Sequence, residues 1–78
     1  MTREERQELR KKILQELYDY YFANNGSGKK LARFQVDLER NLAYQYLEEK
    51  NLILKHSDGR EIDYKITAYG IDLIELIV

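Results

Sequence analysis

The Asp58-Gly59 pair lies between two strand-like runs, "LILK" and "REIDYKI", and limits the fold more than any other part of the chain. An Asp-Gly pair in this setting predicts a tight β-hairpin, because both central residues of a type I′ turn need positive φ. Placing Ser57 opposite Arg60 separates the side chains by polarity. One face then carries the apolar residues Ile53, Ile62, Tyr64 and Ile66. The other face carries Leu54, His56, Glu61, Asp63 and Lys65. We therefore expect a hairpin that covers a core with one face.

A long helix is predicted near the start of the chain. Thr2 and Glu5 have the spacing of a capping box, in which each side chain satisfies a free backbone N–H of the other residue. Apolar residues then recur at helical spacing, namely Leu9, Ile13, Leu14, Leu17, Tyr18 and Tyr21. We expect this helix to end near Ala23, because the "NNGSG" that follows tolerates irregular backbone.

The stretch from about Lys30 to Lys50 allows two interpretations. The spacing of Leu31, Phe34, Leu38 and Leu42 would fit one continuous helix. We favour a short helical or irregular segment at 30–35 and a separate helix at 38–50, because Asp37 is a good N-cap. This second helix has its own apolar stripe of Leu38, Leu42, Ala43, Tyr46 and Leu47.

The remaining helix ends are also marked by single residues. Asn51 follows the second helix, and asparagine adopts the left-handed backbone of a helix C-terminus more readily than most residues. Thr67 is the expected N-cap of a last helix. The inner stripe of that helix is predicted to be Ile71, Ile74 and Val78.

Size and charge limit the classes of protein to which the chain can belong. A chain of 78 residues without cysteine is expected to form one small domain, spanning residues 1–78, in a reducing compartment. No apolar run is long enough to cross a bilayer, so we expect a cytoplasmic protein without membrane contact. Thirteen basic and 14 acidic residues give a net charge of −1, so nucleic-acid binding would need a locally basic face.

Two segments, "AYQYLEEKNLI" and "YKITAYGIDLIE", resemble the winged helix-turn-helix domains of small bacterial and phage regulators. The resemblance covers about residues 37–75 and implies an α+β, mostly helical fold. Its expected elements are three helices, a two-stranded wing and a C-terminal helix. Asn51 stands where these domains usually have glycine. The segment "NNGSGKKLARFQV" is also short for the strand, helix and turn that should precede the recognition helix.

The resemblance implies a DNA-binding transcriptional regulator. If the helix at 38–50 packs through Leu38, Leu42, Tyr46 and Leu47, its other face carries the candidate base-reading residues Arg40, Asn41, Tyr44 and Gln45. Arginine can pair with guanine, and asparagine or glutamine with adenine, in the major groove. The candidate phosphate contacts are Lys29, Lys30, Arg33, Lys55, His56 and Arg60.

The alternative is a winged-helix module for protein–protein interaction or dimerisation that does not bind DNA. Any helix exposes polar residues, and Glu39, Glu48 and Glu49 on the same helix would repel phosphates. The chain's last stretch, "IDLIELIV", has apolar residues outside the inner stripe. Leu73, Leu76 and Ile77 are therefore candidate contacts of a homodimer, unless these aliphatic residues complete the monomer core.

No catalytic, metal-binding or cofactor-binding pattern is evident. "GSGKK" lacks the first glycine, the following Ser or Thr and the preceding strand of a phosphate-binding loop. His56 has no second histidine or cysteine with which to share a metal ion. We therefore expect no enzyme activity, no cofactor and no small-molecule ligand.

Overall fold

The computed structural model describes residues 1–76, which form three α-helices and a three-stranded antiparallel sheet. The helices are α1 (Arg3–Ala23), α2 (Leu38–Glu49) and α3 (Ala68–Glu75). The strands are β1 (Lys29–Ala32), β2 (Ile53–Asp58) and β3 (Glu61–Ile66), and a 3₁₀ turn (Arg33–Gln35) joins β1 to α2. The α+β, mostly helical class that we predicted is confirmed at this level. Ile77 and Val78, which we placed in a dimer contact and in the inner stripe, lie outside the described residues.

The third strand is a correction to our prediction of a two-stranded sheet. β1 occupies the first half of the segment at 30–35 that we expected to be helical or irregular, and the second half, Arg33–Gln35, forms a helical turn. The sheet order is β1-β3-β2, with Leu31 opposite Ile62. Pairing with β1 satisfies the backbone groups on the edge of β3 that β2 leaves open. This long-range pairing overrides the helical spacing of Leu31 and Phe34.

The hairpin is present, but its register differs from the predicted one. Ser57 lies opposite Ile62 rather than Arg60, so Gly59 and Arg60 form the turn. Of these two residues only Gly59 has positive φ, at 57°, which is typical of a type II′ turn rather than type I′. Because the partner of Ser57 moves by an even number of positions, every side chain stays on its predicted face.

The core lies between the sheet and the two longer helices. Its buried residues are Ile13, Leu14, Leu17, Ala43, Tyr44, Leu47, Ile53, Ile62, Tyr64 and Ile66. The rings of Tyr44 and Tyr64 stack with centroids 4.0 Å apart and planes 8° from parallel. This stack connects α2 to the central strand and, as an aromatic pair, contributes more than its buried area alone.

The predicted helix caps are confirmed. Thr2 and Glu5 form both hydrogen bonds of the capping box at the start of α1. The Asp37 side chain accepts a hydrogen bond from the Arg40 N–H, 2.8 Å away. Asn51 has a φ of 62°, and the Thr67 hydroxyl accepts a hydrogen bond from the Gly70 N–H. None of the helices within residues 1–76 combines the length and apolar character needed to cross a lipid bilayer.

Candidate functional site

Helix α2 packs against the core with a different face from the one we predicted. Its buried residues are Ala43, Tyr44 and Leu47, of which only Tyr44 was expected to be exposed. Leu38, Leu42 and Tyr46, which we placed in the core, are 70%, 49% and 38% exposed. In this orientation Tyr44 stacks on Tyr64 in the core, and the aromatic pair contributes more than its buried area alone.

The rotation separates the four candidate base-reading residues. Tyr44 is buried in its stack with Tyr64, so it is not available to a base edge and our placement of it on the exposed face is wrong. Arg40 turns towards α1, where its Nη2 lies 3.2 Å from Glu16 Oε2 and also donates to the Tyr44 hydroxyl. Asn41 and Gln45 are exposed, as predicted.

Asn41 and Gln45 border a small polar hollow between α2 and the sheet. Glu48 and Lys55 complete its rim, and the Tyr64 hydroxyl lies at its base. That hydroxyl is buried and has no hydrogen-bond partner within residues 1–76, and its burial raises the pKa of Tyr64. The hollow measures about 70 Å³. Since one water molecule takes up about 30 Å³ in the liquid, the hollow suits water better than a larger ligand.

The candidate phosphate contacts do not form one surface. Lys29 and Lys55 both lie beside Tyr64 in the register, on the core-facing side of the sheet. Lys30 and His56 both lie beside Asp63, on the opposite side.

Of the candidate phosphate contacts, Arg33 and Arg60 lie close together at the hairpin turn. Arg33 donates from its Nε to the Gly59 carbonyl over 2.8 Å, and its backbone N–H donates to the Arg60 carbonyl. Asp58 and Glu61 flank the same turn, so its local charge is balanced rather than basic.

A hydrophobic groove that the sequence did not predict lies on the other side of α2, between α2 and α1. At its centre the guanidinium of Arg10, on α1, stacks 3.9 Å from the ring centroid of Tyr46. Two hollows of about 380 Å³ each flank this stack. We call the stack and both hollows the Tyr46 groove.

The two hollows have similar apolar linings but different charged rims. The first is lined by Leu9, Leu42 and Ala43, with Arg6 on the α1 side and Glu39 and Glu49 on the α2 side. We call it the mixed-charge hollow. The second is lined by Leu14, Leu47, Leu52, Leu73, Lys11 and Lys50. The candidate dimer residue Leu73 therefore belongs to the groove, whereas Leu76 is exposed beyond the end of α3.

The described residues offer little to metal or acid–base chemistry. No cluster of three or more His, Cys, Asp or Glu side chains suited to a metal ion lies within residues 1–76. His56 is exposed on the outer side of the sheet, opposite Asp63. Comparison of the chain with protein-family models, curated proteins and solved structures found no match.

Proposed function

We propose that this chain is a winged-helix protein-interaction domain that binds another protein chain through the Tyr46 groove. The β2–β3 hairpin corresponds to the wing, and α2 to the helix that reads DNA in winged helix-turn-helix domains. The segment between β1 and α2 holds a single 3₁₀ turn where those domains have a full helix. The winged-helix assignment rests on the sequence resemblance and is compatible with this order of elements.

The observation that carries the proposal is the exposed apolar side of α2. Leu42 and Tyr46 face the groove rather than the core, together with the partly exposed Leu9 on α1. A partner that covers this surface would be stabilised on it by about 25 cal/mol for each square ångström of apolar surface removed from water. Exposed apolar side chains surrounded by charged residues are typical of a protein-binding surface.

The charges on α2 also favour a protein partner over DNA. Glu48 and Glu49 flank the exposed Gln45, and Arg40 is paired with Glu16. Binding a phosphate backbone would therefore bring carboxylates close to it without an opposing cluster of free arginines or lysines.

DNA binding remains the second candidate because of one specific arrangement. Asn41, Gln45 and Lys55 border the same hollow, which brings two candidate base-reading amides and one candidate phosphate contact together. Arg33 and Arg60 are close together at the hairpin turn.

Fluorescence anisotropy with a labelled mixed-sequence duplex separates the two functions. We expect binding weaker than about 10⁻⁴ M at about 50 mM salt, outside the usual range of non-specific DNA binders. A domain that reads DNA would instead bind at low salt. Its affinity would then fall with a log–log slope of about −0.9 for each phosphate contact.

Two double variants test the second candidate directly. If DNA is bound, Asn41→Ala with Gln45→Ala should relax sequence preference, whereas Lys55→Ala with Arg60→Ala should weaken binding to all sequences alike. Salt-dependent binding by the wild type that is lost in the second variant would overturn the protein-interaction proposal.

A further inference from the structure

We infer that the mixed-charge hollow binds a second copy of this chain, in a dimer whose two-fold axis runs along the groove. This inference rests on the proposed function, because it names the partner of the same groove. It concerns α1 and α2, whereas the C-terminal contact that the sequence predicts involves Leu73, Leu76 and Ile77; of these, Leu73 lines the neighbouring hollow of the same groove.

Charge is separated across the mixed-charge hollow. The α1 rim carries Arg6 and Arg10, and the α2 rim carries Glu39 and Glu49. None of these four side chains forms an ion pair with another side chain within residues 1–76. The hollow therefore has one basic wall and one acidic wall, with apolar residues between them.

A surface with one basic and one acidic side is complementary to a second copy of itself. A two-fold rotation about an axis along the groove places α1 of each copy on α2 of the other. The arginines of each copy then meet the glutamates of the other, and each contact occurs twice. The alternative axis, across the groove, would place arginines on arginines and glutamates on glutamates, so electrostatics selects the first arrangement.

The hollow also contains exposed apolar surface. Leu42 is 49% exposed and Tyr46 is 38% exposed, and both line the same hollow as the basic and acidic residues. An apolar centre with a charged rim is the usual organisation of a specific interface. The net charge of −1 per chain adds almost no long-range repulsion between two copies.

The test is a pair of single charge reversals that are monomeric alone and dimeric when mixed. Arg6→Glu places a carboxylate on the α1 side, which faces the acidic α2 side of the other copy, and Glu49→Arg places a guanidinium on the α2 side, which faces the basic α1 side of the other copy. Both reversals suit their helices, because Arg6 is near the start of α1 and Glu49 is at the end of α2.

Sedimentation velocity and native mass spectrometry provide the readout. We expect the wild type to be a dimer at micromolar concentration. Each variant alone should associate at least about tenfold more weakly than the wild type, since each repulsion acts twice. An equimolar mixture should restore the dimer as a heterodimer. Far-ultraviolet circular dichroism verifies that each variant is folded.

Two leucine variants provide a matched control. Leu42→Lys places a charge in the apolar centre and should give a monomer. Leu54→Lys changes a similarly exposed leucine on the outer side of the sheet and should leave the dimer intact.

Three outcomes would overturn the inference. They are a wild type that stays monomeric at about 100 µM, a mixture without heterodimer, and a dimer that survives Leu42→Lys. Each leaves the interaction proposal standing, with another protein as partner, because that proposal falls only if salt-dependent DNA binding is found.

Discussion

Replacing Gly70 with alanine is expected to lower the free energy of unfolding by about 3 kcal/mol, as overpacking at a rigid site does. A Cβ atom at this position would lie 2.4 Å from the Leu52 carbonyl oxygen and 2.6 Å from Ile66 Cγ1. The Leu52 carbonyl also accepts the Thr67 N–H, 3.0 Å away, so it cannot move without losing that bond. Urea unfolding followed by circular dichroism measures the loss.

Gly59→Ala is the matched control for this prediction. Gly59 has a φ of 57°, but no atom lies within 4 Å of the position that its Cβ would occupy. Only backbone strain of about 1–2 kcal/mol is expected there. If both variants lose the same stability, the requirement for glycine at position 70 does not come from its close packing against Ile66 and the Leu52 carbonyl.

Tyr64→Ala is expected to destabilise the protein by about 4 kcal/mol, as other buried aromatic truncations do. Tyr64 is 1% exposed and stacks on Tyr44, so its removal leaves a cavity between α2 and the sheet. Because α2 is oriented by this stack, the variant should also weaken the pairing of Arg40 with Glu16. Urea unfolding measures the first effect, and nuclear magnetic resonance shifts of the Arg40 side chain measure the second.

Tyr64→Phe separates the ring from its hydroxyl. The hydroxyl has no hydrogen-bond partner within residues 1–76, so its removal should cost less than about 1 kcal/mol. A loss near that of the alanine variant would contradict the account of the stack.

The same variant has an effect on alkaline stability. Burial raises the pKa of Tyr64, so the neutral hydroxyl is favoured in the folded state. The stability linked to this shift is fully present below pH about 10 and is lost as pH rises through the raised pKa. Tyr64→Phe removes the hydroxyl that ionises, so this part of the stability loss at alkaline pH should be absent in the variant.

Short-range signals made the helix ends predictable. The pair Thr2 and Glu5, the N-caps Asp37 and Thr67, and the left-handed Asn51 all act on backbone within a few residues. Their chemistry is visible in the sequence because each residue satisfies groups of its own helix. The parity of the hairpin was equally visible, because alternation fixes the faces even when the turn shifts.

Long-range contacts explain the parts that were not predictable. β1 forms because β3 has an open edge, and no residue within Lys29–Ala32 indicates that edge. Arg40 pairs with Glu16, which lies 24 positions earlier, so its exposure could not be read from α2 alone. Both contacts depend on the final arrangement of the elements.

The groove was missed because spacing does not distinguish a leucine in the core from one on a binding surface. Leu42 and Tyr46 share a helical stripe with Leu47, yet only Leu47 is buried. One signal was present in the sequence: Ala43 and Tyr44 sit next to each other and both suit the core, which turns Leu42 away.

The most direct test of a second copy binding in the mixed-charge hollow is the solvent accessibility of leucine methyl groups. A soluble gadolinium chelate enhances nuclear relaxation of exposed methyl groups, and it can be added to the wild type over a range of protein concentrations. Leu42 and Leu54 are 49% and 59% exposed in the single chain, so similar enhancement is expected when the protein is dilute. With rising concentration the account predicts that Leu42 becomes shielded while Leu54 does not. Equal enhancement of both leucines at every concentration would contradict it.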